Sequence, residues 1–105
     1  MSSNIINVTV QGLRTADIPA IFKTVVLKSN IGFAEQLTQE YTKYVIKWNY
    51  DLSGGSIDVP AYCIFDFDGG QLQHGTINWN NTKVLNLYQY EILHDITETG
   101  NKIIL

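Results

Sequence analysis

Hydrophobic and polar positions alternate along most of this chain, and one segment breaks the alternation with a helical period. Ile5, Asn7 and Thr9 alternate with Ile6, Val8 and Val10 ahead of Gly12, which reads as a strand closed by a turn. Ile18, Ile21, Phe22, Val25 and Val26 then recur at i, i+3, i+4, i+7 and i+8 behind a Thr15 or Asp17 cap, predicting a helix that ends near Ser29-Asn30. Pro19 fits its first turn, where the backbone N–H has no intrahelical partner. Between residues 31 and 41, Phe33, Leu37 and Tyr41 fit a helix while Ile31, Phe33, Glu35, Leu37 and Gln39 fit one face of a strand. Tyr44, Ile46, Trp48, Tyr50 and Leu52 share one face of the next strand, which Ser53-Gly54-Gly55 turns.

Ile57, Val59, Ala61, Cys63, Phe65 and Phe67 line a return strand, with Pro60 marking an edge or a bulge. Asp68-Gly69-Gly70 is a hairpin signal. Strands over residues 71–79 and 84–93 follow, separated by Asn80-Asn81, with a short strand through Ile103 and Ile104. No internal repeat is apparent. The sum is a single α+β domain over residues 1–105: one main helix packed on a curved antiparallel sheet of five to six strands, cystatin-like and cone-shaped.

The stretch Val59 to Leu72, followed by Trp79-Asn80, together with the order strand, helix, meander, resembles the nuclear-transport-factor-2-like superfamily. Its SnoaL-type polyketide cyclase and ketosteroid isomerase relatives are the most similar group. The resemblance spans roughly Asn4 to Leu85 and lacks the first two helices that close the mouth of the cone in that family. It implies a strand over Ile31 to Gln39 and a ligand-holding cone. Where such enzymes often carry an acid after the aromatic residue, this chain has Asn80, and an amide does not take up a proton as a carboxylate does.

Composition narrows the function classes. With 105 residues and 45% hydrophobic content the chain suits one core. The net charge of −3, with seven scattered Lys and Arg, gives no basic stripe for nucleic acid. No apolar run approaches the roughly 20 residues of a membrane span. The amino terminus lacks a secretory n- and h-region, so a cytoplasmic location is expected and the sequons at Asn7 and Asn80 carry no weight. A single cysteine, Cys63, excludes an intrachain disulfide and a thiolate zinc site, and its place among apolar residues reads as core.

Two chemical candidates stand out. His74 and Asp66, across the Gly69-Gly70 turn, would form an imidazole–carboxylate pair suited to proton transfer in an isomerase, cyclase or dehydratase-like reaction. Trp48, Tyr50, Tyr62, Trp79 and Asn80 would line a largely apolar ligand pocket with polar tips. No metal site is expected: Asp66-Phe67-Asp68-Gly69 lacks the ligands of a calcium loop, and Glu91 and His94 on a strand face opposite sides. No cofactor is implied. One helix covers only part of a sheet with two apolar faces, which predicts a homo-oligomer, a dimer above all. The leading expectation is a non-catalytic protein that holds a small, mainly apolar ligand or a protein partner. The enzyme is the alternative, and an interaction protein of phage or toxin-immunity type a further one.

Overall fold

The computed structural model describes residue 21, residues 23–86 and residues 88–104. In order these form β1 (Lys23–Val26), α1 (Phe33–Gln36), β2 (Thr42–Ile46), β3 (Asn49–Asp51), β4 (Ser56–Asp58), β5 (Ile64–Phe67), β6 (Gln71–Asn78), β7 (Thr82–Leu85), β8 (Leu93–Thr99) and β9 (Lys102–Ile104). All seven strand pairings among the described residues are parallel. One sheet stacks β1-β2-β5-β7-β9; in the other, β6 pairs with β3 and β4 along one edge and with β8 along the other.

Parallel neighbours cannot be joined by a hairpin, so the chain must travel round before it pairs again. It does so as a solenoid. Lys43 lies beside Ile64, Ile64 beside Lys83, and Lys83 beside Ile103, so one coil takes about 20 residues, at the short end of the range for stacked repeats. Each coil crosses the first sheet, turns, crosses the second and returns. The second sheet is interrupted at Ser53, His74 and Asp95, one per coil and evenly spaced, each with a left-handed backbone (φ 53°, 58° and 53°). The ladder between β6 and β8 skips the His74–Asp95 position, so the left-handed residue is where each coil bends.

This architecture corrects the α+β expectation. The expected helix runs partly over residues outside the described set, as does the expected strand at Ile5 to Val10, but its carboxy-terminal portion is strand β1. The stretch from Ile31 to Gln39 is not a strand: it contains the single turn of α1. The strand read through Tyr44 to Leu52 is broken at Lys47-Trp48 into β2 and β3, and that from Ile57 to Phe67 into β4 and β5, with Pro60 in the corner. Asp68-Gly69-Gly70 is likewise a corner between sheets. Of the three only Gly69 has a positive φ, 100°, whereas a type I′ hairpin needs two consecutive positive values. A repeat is present after all: Gly55-Ser56-Ile57-Asp58 and Gly75-Thr76-Ile77-Asn78 occupy the same place in successive coils, and their β4 and β6 positions are paired in register.

Successive coils place like residues over like. Tyr44, Phe65 and Val84 stack inward with exposures of 1%, 0% and 7%. Beside them Thr42, Cys63 and Thr82 form a narrow buried column of small residues, and burial pushes the Cys63 thiol pKa up. Phe65 is the hub: its ring meets Phe33, Tyr44, Phe67 and Trp79 at centroid distances of 5.7, 6.2, 6.1 and 5.5 Å, Phe33 coming from α1 and Tyr44 from the preceding coil.

Segment 27–39 covers the amino-terminal end of this core. Leu27, Phe33 and Leu37 are buried, and two tyrosine hydroxyls of the first coil fasten the segment. Tyr50 donates to the Lys28 carbonyl at 2.8 Å; Tyr44 accepts from the Thr38 and Gln39 amides and donates to the Gln39 carbonyl. The Gln36 amide closes the loop by bonding Lys28 and Ile31 main-chain groups. Since Phe65 bridges this cover and both coils, Phe65→Ala is expected to cost about 3–5 kcal/mol of unfolding free energy in chemical denaturation. Tyr88→Ala, at a side chain 67% exposed, is expected to cost less than about 0.5 kcal/mol.

Candidate functional site

The residues singled out in the sequence do not converge. His74 and Asp66 lie on different sheets and are not hydrogen-bonded to each other. Asp66 sits 3.5 Å from Lys43 on the preceding coil, and His74 Nδ1 lies 3.0 Å from Asp95 Oδ2 on the following one, with side chains 44% and 73% exposed. The Asp95 hydrogen bond raises the His74 pKa above the ordinary histidine value; desolvation opposes this, and the charges of Asp51 and Asp95 add to it. His94 meets the His74 ring edge to face at 5.5 Å, and Glu91 is 3.6 Å from His94. Among the described residues no group of three or more His, Cys, Asp or Glu side chains has the arrangement to hold a metal ion.

The five expected ligand residues are likewise spread out. Trp79 is core at 1% exposure, Trp48 is half exposed at a corner, and Tyr62 stacks on Tyr41 of the preceding coil at 5.4 Å. Asn80, at a corner with φ 50°, donates to the Val59 carbonyl. Tyr50 alone borders a groove, of about 510 Å³, between residues 29–35 and the β3–β4 edge.

The feature that sequence reasoning missed is the carboxy-terminal end of the solenoid. Ile104 occupies the inward register of Tyr44, Phe65 and Val84 yet is 67% exposed. β8 pairs with β6 alone and β9 with β7 alone among the described residues. No residue of β6 is exposed, whereas five of the seven in β8 are. An unpaired strand edge offers a row of free N–H and C=O groups, which proteins commonly blunt with proline or a short edge strand. β8 has seven residues and no proline, and its bend at Asp95 is the one the inner coils share.

The inward positions of this end form a mosaic. Leu93 and Ile96 are half-buried apolar residues packed on the core. Glu98 stands in register with Ile77 and Lys102 with Thr82, so a carboxylate and an ammonium occupy places that are apolar or uncharged one coil earlier. They pair with each other over Trp79: Trp79 Nε1 donates to Glu98 Oε1 at 2.9 Å, Lys102 Nζ also bonds that oxygen, and the ammonium lies 5.7 Å from the indole centroid. Partial burial pushes the Glu98 carboxyl up, but the hydrogen bonds from Lys102 and Trp79 and the lysine charge outweigh it, and its pKa is lowered overall. Register was the signal that could have exposed this end, and it becomes readable only once the coil period is seen.

No protein-family model, curated protein or solved structure matches this chain.

Both ion pairs give pH dependences of opposite sign. A raised His74 pKa means that its pairing with Asp95 is fully present below the unfolded histidine value and is lost as pH rises through the folded one. In NMR titration the His74 ring is expected to titrate above about 6.5, the ordinary histidine value, and its midpoint to fall in Asp95→Asn. A lowered Glu98 pKa means stabilisation that is present above the unfolded carboxylate value and lost as pH falls through the folded one. Trp79 fluorescence is expected to change through that acid titration before global unfolding, and the early step to vanish in Glu98→Gln.

Proposed function

We propose that this chain is a non-catalytic binding module: a short parallel β-solenoid, covered at one end by residues 27–39, that takes up a polypeptide at the other by strand addition. The observation that carries this reading is Ile104, exposed at 67% in a register where Val25 is half-buried and Tyr44, Phe65 and Val84 are buried. Among the described residues neither β8 nor β9 has a neighbour on its outer edge, and a strand added there would pair that edge and cover Ile104. Parallel strand addition derives affinity from main-chain hydrogen bonds and selectivity from alternate side chains. The acid–base candidates do not carry a competing reading, because His74 is half exposed and the carboxylate it bonds is that of Asp95 on the next coil of the stack, not that of the expected Asp66.

The coil spacing defines the test. With the β7–β9 register continued, a copy of residues 86–104 placed directly after residue 105 would run along β8 and then β9. The appended copy carries Glu98→Thr and Lys102→Thr, so that like charges do not meet. It is expected to raise the thermal midpoint by about 5 °C or more and to slow amide exchange across Leu93–Thr99. A scrambled copy is expected to do neither. An intact copy that leaves both the midpoint and the exchange unchanged would overturn the reading.

A further inference from the structure

We infer that the Glu98–Lys102 pair is the specificity element of this end, and that its partner is a parallel coil carrying small hydrogen-bonding side chains over the pair and apolar ones over Leu93, Ile96 and Ile104. The inference rests on the strand-addition reading above.

Four observations lead to it. The pair sits at inward positions, so any coil stacked there would bury it. It is anchored from below, because the Trp79 indole and the Lys102 ammonium share the same Glu98 oxygen, which prevents the carboxylate from swinging out to solvent without leaving Trp79 Nε1 unpaired. The inner coils carry small, uncharged side chains at the Lys102 register, Thr42, Cys63 and Thr82; Thr42 Oγ1 donates to the Glu40 carbonyl, whereas the buried Thr82 Oγ1 directly beneath Lys102 has no partner among the described residues. The remaining inward positions, Leu93, Ile96 and Ile104, are purely apolar. Inward-pointing charges on an edge strand discourage indiscriminate pairing. Here they stand among apolar neighbours, so they exclude coils that would cover them with hydrocarbon and admit those that offer hydrogen bonds.

A coil fits better than a second copy of this end. Every pairing in the described structure is parallel, and a twofold axis would set β8 and β9 antiparallel to their mates. It would also bring together two ends that each carry Glu91, Asp95 and Glu98 against Lys102.

The test uses the full chain and two labelled synthetic peptides spanning residues 86–104. The polar peptide carries Glu98→Thr and Lys102→Thr, and the apolar peptide Glu98→Ile and Lys102→Val. By fluorescence anisotropy the wild-type chain is expected to bind the polar peptide about tenfold or more tightly than the apolar one, since hydrocarbon over the pair leaves buried polar groups unpaired. The double variant of the chain itself, Glu98→Ile with Lys102→Thr, restores the inner-coil pattern and is expected to reverse the preference. A role confined to supporting Trp79 would alter stability without reversing the ratio. If neither peptide binds measurably, the same two sequences are appended after residue 105 and ranked by thermal midpoint. Equal binding of both peptides, or equal midpoints of both fusions, would overturn this inference while leaving strand addition intact. Failure of both fusions to stabilise the chain would overturn the two together. Sedimentation showing a wild-type dimer that both peptides fail to dissociate would assign the end to a second copy instead.

Discussion

A β-strand has two edges, and each must meet another strand, a cover or water. In this molecule that requirement is met by winding: every inner strand receives a parallel neighbour one coil before and one coil after. The length of a coil stays nearly constant because the two sheets must keep the same register, and departures are absorbed at the corners. The link from the first sheet to the second spans residues 47–48 in one coil, 68–70 in the next and 86–92 in the third. In the last of these the extra chain is tied back, with Tyr90 Oη donating to the Gly70 carbonyl and accepting from the Gly69 amide. Close stacking also restricts what the corners tolerate. A side chain on Gly70 would approach the Trp48 carbonyl oxygen to 2.5 Å, and neither backbone has room to move without breaking the ladder.

In such a stack each coil is stabilised by its neighbours, so energy is approximately a sum of adjacent terms and the ends are weakest. The two ends here are treated differently. At the amino-terminal side Phe33 lies against Tyr50 at 5.2 Å and against Phe65, and two buried hydroxyls satisfy main-chain groups of the cover that would otherwise be stranded. At the other side an ion pair covers one residue, Trp79, and leaves Ile104 in water.

Burial was legible in the sequence, and direction was not. Ile57, Val59, Ala61, Cys63, Phe65 and Phe67 were read as one face, and all but the half-buried Ala61 are buried. The alternation survives the corner at Pro60 because a coil that turns still keeps one side toward the core. For that same reason alternation says nothing about whether the next strand folds back or travels round: a hairpin and a solenoid corner both contain glycine, proline and asparagine. The antiparallel meander therefore looked as consistent as the parallel stack. What separates them is long-range periodicity, and here it is faint, since Gly55-Ser56-Ile57-Asp58 and Gly75-Thr76-Ile77-Asn78 agree in type at every position while the third coil reads Ile96-Thr97-Glu98-Thr99. The departure of the third coil at Glu98 hid the repeat, and it is also the most informative residue of the candidate site.

His74 shows how a feature that invites a chemical reading acquires a structural one. Its backbone is left-handed, which for a residue other than glycine or asparagine costs on the order of 1 kcal/mol, and Ser53 and Asp95 share that conformation directly before and after it in the stack. All three are polar residues at the bend of the second sheet, where the ladder is interrupted. An imidazole placed there reaches the carboxylate of the next coil because the two residues share a register, and Lys43–Asp66 and Lys47–Asp68 join the first and second coils in the same sense. Cation on one coil and acid on the next recur at three places on the surface, so the His74–Asp95 pair follows from how coils are matched. Surface pairs of this kind contribute only about 0–1 kcal/mol each. Their weight lies in disfavouring a shifted register, which would separate each cation from its acid and move every inward side chain out of its column.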